Sequence, residues 1–327
     1  MKVLVIGAAG MVGTKLARSF GTDRAADVDS IRLVDVVAPT VPAELAATDI
    51  ATETGVLDLR DAAAVASVLA DRPDIILHLA AIVSGEAEAD LEKGYAVNFD
   101  GTRNLFDAIR TLDGYCPRVV FTSSIAVFGA PFPDAIPDDY HLTPLTSYGT
   151  QKAMGELMLA DYSRRGFLDG IGIRLPTINI RPGKPNKAAS GFFSGILREP
   201  LVGQEAVLPV DDTVRHWHAS PRAAIGFLRH AMTLDTAPLG ARRSLTMPGL
   251  SATVGEQIEA LRRAAGDDAV ALIRREPDAT IRGIVAGWPT RFDAARATAL
   301  GFRAESSFDE IIAVHVADEL GGRIGPR

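Results

Sequence analysis

The chain has 327 residues, 47% hydrophobic and 23% charged, which is enough apolar material for one large or two modest domains. A formal net charge of -7 and the lack of any Lys/Arg block exclude a protein built to lie on nucleic acid or on an anionic membrane surface. The lone cysteine, Cys116, excludes an internal disulfide and a Cys-rich metal site; it is expected to be small, buried and inert, in a reducing compartment. No stretch approaches the ~18 apolar residues of a membrane span. The N-terminal MKVLVIGAAGMVG is too short and too broken by glycine to be a signal-peptide core. A cytoplasmic location is therefore expected.

In chain order, strands are expected at residues 2–7, 30–36, 54–59, 74–80, 118–124 and 170–176. They are apolar almost throughout, as strands covered on both faces should be. Helices are expected between them at 11–20, 61–70, 89–112 and 147–165. This alternation predicts an α/β fold, a Rossmann-type doubly wound parallel sheet with right-handed crossovers. After Pro176 the rhythm changes. RPGKPNKAASGFFSG reads as loop, and helical patterns return at 221–232, 254–265, 291–300 and 308–319. The expected organisation is a dinucleotide-binding domain over 1–176, with a return segment near 213–235. A smaller C-terminal α/β substrate domain then fills most of 177–327.

The first strand runs into GAAGMVG. Gly7, Gly10 and Gly13 allow a tight turn and close backbone approach to a pyrophosphate. The helix opening at Met11, Val12 and Gly13 supplies free N–H groups and a partial positive charge for that anion. The context, strand before and helix after, makes this a dinucleotide site rather than a structural turn. The second strand ends at Asp35, placed to accept hydrogen bonds from adenosine ribose hydroxyls. No arginine follows it to welcome an extra phosphate, so NAD is expected over NADP. Asp58 is a candidate acceptor for the adenine amino group, with Leu59 packing on the ring. Ala80 and Ala81, ending the fourth strand, leave room for the cofactor to cross the sheet edge.

In SYGTQK, Tyr148 and Lys152 are one helical turn apart and share a face. A tyrosine hydroxyl, with an ordinary pKa of about 10, is a poor base at neutral pH. Lowering it by ~3 units takes about 4 kcal/mol, and an ammonium ~4 Å away supplies about that much at an effective dielectric of ~20. The spacing suits a tyrosine that takes the proton of a hydroxyl whose hydride goes to NAD. Ser123 or Ser124, ending the fifth strand, would project at the same sheet edge and polarise the substrate oxygen.

These motifs together resemble the extended short-chain dehydrogenase/reductases, the NAD-dependent epimerase/dehydratase family. The resemblance rests on GAAGMVG, Asp35, HLAA, Asn98 in VNFDGTRNL, TSSIAVFG, YGTQK, RLPTINIRPG and RFDAARATALGF, and covers essentially the whole chain. It implies Ser124, Tyr148 and Lys152 as the catalytic set, with Lys152 also on the nicotinamide ribose. Asn98 joins the cofactor-binding set, and Pro176 and Thr177 close over the nicotinamide amide. Phe128 stands where relatives often carry a tyrosine, so no role for that hydroxyl is implied. Within the family, strings such as HLAAIVSGEAEAD and RLPTINIRPGKPNKAASGF resemble the D-erythronate dehydrogenase subgroup. That likeness implies NAD-linked oxidation of the C2 hydroxyl of D-erythronate to 2-dehydro-D-erythronate in sugar-acid catabolism. It also implies a homodimer, since in relatives the helices at 89–112 and 147–165 pair across a two-fold axis.

A sugar acid needs a cation for its carboxylate, and arginine can grip one with two hydrogen bonds. Arg181, Lys184, Lys187, Arg198 and Arg215 are available, and Arg215 resembles the arginine that meets a diphosphate in sugar-nucleotide enzymes. Ser84, with Gly85, lies where relatives contact substrate, and Asn179 is a further polar candidate. His216 and His218 would share a strand face. No third ligand accompanies them, so a structural role is expected and no metal is required. Two rival functions remain. A nucleotide-sugar epimerase would hold NAD tightly and return the hydride. A non-catalytic NAD(H) sensor would typically have lost the Tyr148–Lys152 pair. A dehydratase would need an acid beside Ser124, where Ile125 and Ala126 stand.

Overall fold

The computed structural model describes residues 1–23, 27–183 and 189–325. The strands among them, in chain order, are β1 (Lys2–Ile6), β2 (Ser30–Asp35), β3 (Ala51–Val56), β4 (Ile75–His78), β5 (Arg118–Ser124) and β6 (Asp169–Leu175). There follow β7 (Thr177–Ile178), β8 (Ala206–Leu208), β9 (Arg215–Ala219), β10 (Ser244–Thr246), β11 (Leu250–Thr253) and β12 (Ile273–Arg275). The chain divides into two compact units. One comprises Met1–Val127, Thr146–Arg174 and Ile225–Leu245; the other comprises Phe128–Leu145, Leu175–Ala224 and the chain from Thr246 onward. The return segment thus begins at Ile225, where the sequence suggested a start near 213, and Phe128–Leu145 belongs with the second unit.

A seven-stranded sheet runs in the order β10-β6-β5-β4-β1-β2-β3. β1 pairs in parallel with β2 and with β4, and β4 pairs in parallel with β5. The strand order reverses between β1 and β4. The carboxyl ends of those two strands therefore flank the crevice where such sheets take their ligands. Central strands are buried on both faces: Val3 to Ile6 and Ile75 to His78 are all buried. β3 departs from the all-apolar expectation. It is an edge strand with an exposed, polar sequence, and it spans 51–56 where 54–59 was expected.

The helix Met11–Thr22 buries Gly13, Leu16, Ala17 and Phe20, a spacing of three and four that puts one face on the sheet. The helix Ser147–Arg164 lies close over β5, because a Cβ at Gly155 would come 2.6 Å from the Phe121 ring. Phe121, Phe106, Leu105, Ile76 and Leu4 fill the core here, each essentially inaccessible to water. Burying each such side chain contributes about 1.5–3 kcal/mol. The helix expected at 89–112 runs from Leu91 to Arg110, with a π-helical turn at Tyr95–Asp100 inside it; Asp90 leaves helical backbone angles and caps its start by accepting the Lys93 N–H. The return segment is held by arginines. Arg118 donates to the carbonyls of Ala231 and Leu234 at 2.9 and 2.8 Å and pairs with Asp169 at 2.6 Å, while Arg229 donates to the Ser19 carbonyl at 3.0 Å.

The second unit has a small sheet of order β11-β9-β7 and a pair β12-β8. Its core of Phe193, Ile196, Leu197, Leu261, Phe308 and Ile311 gathers helices Gly191–Arg198, Val254–Ala271 and Phe308–Glu319. The first of these was not expected from sequence. The second begins at Val254 and is interrupted at Gly266, whose φ of 81° is not helical, so its first stretch matches the expected 254–265 and a short second stretch continues to Ala271. The helix expected over 291–300 shrinks to Ala295–Ala299, since Phe292 is drawn into a bridge with Ile136. Cys116 is exposed, contrary to the buried residue expected. It lies in the turn entering β5 and not in the strand.

Candidate active site

The turn after β1 is built to receive an anion. Gly7 takes φ 91°, a conformation that only glycine adopts without strain, and a Cβ there would meet the Ala80 nitrogen at 2.5 Å. A Cβ on Gly13 would sit 2.3 Å from the Gly7 carbonyl oxygen. At Gly10 the nearest such atom is 3.4 Å away, so the space over the loop is open. Gly10 is the N-cap of the helix and offers no side-chain cap, which leaves the amides of its first turn, Met11 to Gly13, for an outside acceptor. The Asp35 carboxylate stands beside the loop, accepting from Ala9 N–H at 3.0 Å and Val36 N–H at 2.7 Å. These residues fit a dinucleotide: bare amides for a pyrophosphate, with a carboxylate next to them for ribose hydroxyls.

Three expected cofactor residues are placed differently. Asp58 is paired with Arg60, which donates through Nε and Nη2, the latter at 2.6 Å; the Arg60 hydrogen bond holds its carboxyl below the usual range. The Leu59 side chain is buried in the core, against Gly101, and is not displayed as a platform for a ring. Asn98 spends its amide on the protein. It accepts from Ile82 N–H at 2.7 Å and donates to the Ile82 carbonyl at 3.0 Å and to Gln151 Oε1 at 2.7 Å. It therefore ties the segment after β4 to the helix that carries Tyr148. Ala80 and Ala81 are half-buried at the end of β4.

Ser124 ends β5, and Tyr148 and Lys152 open the helix capped by Thr146, whose side chain accepts from Gly149 N–H at 3.1 Å. The Ser124 hydroxyl accepts from Ala126 N–H at 3.1 Å and faces the Tyr148 phenol, on which it acts to lower the pKa. Lys152 is buried. Its Nζ donates to the Thr122 carbonyl at 2.8 Å and lies 4.9 Å from the centre of the Phe121 ring and 5.8 Å from that of Tyr148. The electrostatics differ from the sequence expectation. Burial pushes the Tyr148 phenol up to about 12, opposed by the Ser124 hydrogen bond, and the ammonium is committed to Thr122 rather than to the phenol oxygen. Burial brings Lys152 down to about 8, while the Glu156 carboxylate acts the other way. Burial, with the Lys152 charge behind it, holds His78 down at about 3.

Ser84 begins the short helix Ser84–Ala89 in the same unit. In the second unit, Pro176 precedes β7, and the Thr177 hydroxyl is bonded to His216 Nε2 at 2.7 Å. His216 Nδ1 meets the Pro289 carbonyl at 2.9 Å, so that nitrogen carries the proton and Thr177 donates to Nε2. Burial holds both His216, at about 4, and His218 neutral. Among the described residues no group of side chains is arranged to hold a metal ion. Asn179 is fully buried and reaches toward Gln257 at 3.4 Å. Arg181 donates to the Ile178 carbonyl and to Ser190 and has no carboxylate partner among the described residues. Arg198 pairs with Glu199. Arg215 pairs with Glu256 at 3.3 Å and lines a cavity of about 330 Å³ with Trp288, Val285 and Arg282, which is itself paired with Asp211. Lys184 and Lys187 lie outside the described residues. The sequence reading passed over Glu156, Arg174 and Gln151, which surround the Tyr148–Lys152 pair. Their signal was the i+4 spacing of Glu156 after Lys152.

The chain is similar to known proteins over nearly its whole length. The profile of the NAD dependent epimerase/dehydratase family matches residues 3–218. A D-erythronate dehydrogenase from Cupriavidus necator is 46% identical, covering 97% of this chain and 98% of that protein. One from Haemophilus influenzae is 42% identical, covering 95% and 98%. A crystal structure described as a nucleoside-diphosphate-sugar epimerase from Agrobacterium tumefaciens is 62% identical, with a TM-score of 0.95 over 98% of this chain and 95% of that one.

Proposed function

This chain belongs to the NAD dependent epimerase/dehydratase family, and from that premise we propose that it is an NAD-dependent dehydrogenase of a sugar acid, oxidising the C2 hydroxyl of D-erythronate. The observation that carries this reading is the near-full-length likeness to two D-erythronate dehydrogenases. NAD, held by the Gly7–Gly13 loop and Asp35, supplies the acceptor for the hydride from C2. Tyr148 takes the hydroxyl proton, and Ser124, which faces the phenol, holds the reacting oxygen. For this, Lys152 leaves the Thr122 carbonyl for the phenol oxygen. An ammonium ~4 Å from that oxygen favours the phenolate by about 4 kcal/mol at an effective dielectric of ~20. Arg181, with no carboxylate partner among the described residues, is the cation assigned to the substrate carboxylate, and Ser84, Asn179 and Arg215 complete the substrate set. The exposed Leu91 and Leu157 suit a homodimer built on their helices, and a lone cysteine suits the cytoplasm. No helix among the described residues is long and apolar enough to cross a membrane.

The 62% identical structure described as an epimerase favours a second reading, a nucleotide-sugar epimerase. Against it, the cavity lined by Arg215 and Arg282 sets a carboxylate beside each cation, Glu256 and Asp211, which suits a singly charged substrate better than a diphosphate. The test is NADH formation at 340 nm across four- to six-carbon aldonates, with UDP-sugars as controls. A rate with D-erythronate well above threonate and the longer acids supports the proposal. Silence with every acid, together with interconversion of a UDP-sugar, replaces it with the epimerase.

A further inference from the structure

Behind the Tyr148–Lys152 pair lies a buried charge cluster that the reaction as described does not use. Glu156 follows Lys152 by one turn on the helix Ser147–Arg164, so the two project from one face. Arg174 on β6 grips the Glu156 carboxylate with Nε at 2.9 Å and Nη2 at 2.7 Å. Ser123, next to Ser124 on β5, donates its hydroxyl to Oε1, the carboxylate oxygen that also accepts from Arg174 Nε. Both side chains of the ion pair are almost wholly removed from water, at 6% and 4% exposure. Such a pair is weak evidence of stabilisation, since well-packed apolar residues of the same volume often serve as well. Its position asks for another role.

We infer that Glu156 is a positioning residue for the reaction: clamped by Arg174 and Ser123, it keeps the Lys152 side chain charged and fixes the strand end that carries Ser124. The inference rests on the Ser124–Tyr148–Lys152 reading above. The groups around the Lys152 ammonium are few. Its own helix presents Tyr148 and Glu156; β5 presents the Phe121 ring and the Thr122 carbonyl; β4 presents the neutral His78; Arg174 on β6 is held on the Glu156 carboxylate. Among them the only carboxylate acting on Lys152 is that of Glu156. Without it, the buried ammonium loses the charge that favours its protonated form and sheds its proton more readily.

The test follows the Lys152 Cε resonance against pH in full-length chain saturated with NAD, labelled with ¹³C-lysine and assigned with Lys152→Ala. Glu156→Gln is expected to lower the Lys152 titration midpoint by about one unit or more, and Arg174→Met to raise it. Opposite signs from the two halves of one ion pair are not produced by loosened packing. Glu156→Asp keeps the charge with a shorter reach and is expected to lower the midpoint by less than Glu156→Gln; it carries the test if the other variants do not fold. An unchanged midpoint in Glu156→Gln, or in Glu156→Asp where only that variant folds, overturns the inference, as does a shift of the same sign in Glu156→Gln and Arg174→Met. This readout needs no substrate. Failure of D-erythronate to turn over removes the substrate assignment and leaves the titration to decide the role of Glu156.

Discussion

Two glycines of the loop after β1 separate folding from cofactor binding. A methyl on Gly13 would lie 2.3 Å from the Gly7 oxygen and 2.6 Å from the Ala8 Cα, both backbone atoms that cannot swing aside. The loop and the helix Met11–Thr22 must then part, at the cost typical of overpacking, about 1–3 kcal/mol. Gly13→Ala is expected to lower the melting temperature by several degrees and to weaken NAD binding. A methyl on Gly10 meets nothing nearer than 3.4 Å, and this residue already has the ordinary φ of -69°. Gly10→Ala should therefore melt like the wild type. Its methyl, however, fills the open space through which an anion reaches the helix amides. Losing one or two charge-assisted hydrogen bonds, at about 1.5–3 kcal/mol each, weakens NAD by roughly ten- to a hundredfold or more. Calorimetric titration with NAD, beside thermal melts of both variants, reads the pair. If Gly10→Ala binds NAD within twofold of wild type, the loop is not the pyrophosphate site.

Tyr148→Phe is expected to cut turnover by about 10²–10⁴-fold while leaving the NAD dissociation constant near its wild-type value; wild-type-like turnover would remove Tyr148 as the base. Acid should be damaging in a defined window. His78 and His216 have folded values of about 3 and about 4, below the 6.5 of an unperturbed histidine. Between pH 6.5 and 4 the unfolded chain binds the extra protons, so stability falls as pH falls, by roughly 3 kcal/mol for each histidine by pH 4. Urea midpoints followed by circular dichroism at pH 7 and 4.5 check this, and His216→Phe should remove part of the drop. A pH-independent midpoint would contradict the buried, neutral histidines.

What could be read in the sequence was local. The glycines after β1, the carboxylate ending β2 and the Tyr148–Lys152 spacing all follow from short-range rules, and the helix that carries the pair starts at Ser147 as expected. What escaped depends on contacts between distant segments. Leu59 reads as a strand-end side chain, yet it turns inward because Gly101 leaves room for it. The start after Asp90 depends on one carboxylate capping the following turn. The direction of Lys152 is set by the Thr122 carbonyl, 30 residues upstream, and so the expected activation of Tyr148 is absent from the folded arrangement. Arg118, over a hundred residues from the carbonyls it holds, anchors the middle of the return segment at Ala231 and Leu234.

The most direct test of the proposed function is isotopic. D-erythronate carrying deuterium at C2 is incubated with the chain and NAD, and the nucleotide and the sugar acid are analysed by mass spectrometry. The account predicts one deuterium in the reduced nicotinamide and a product two mass units below unlabelled D-erythronate. Unlabelled NADH, or deuterium retained in the acid with no reduced nucleotide, would contradict oxidation at C2.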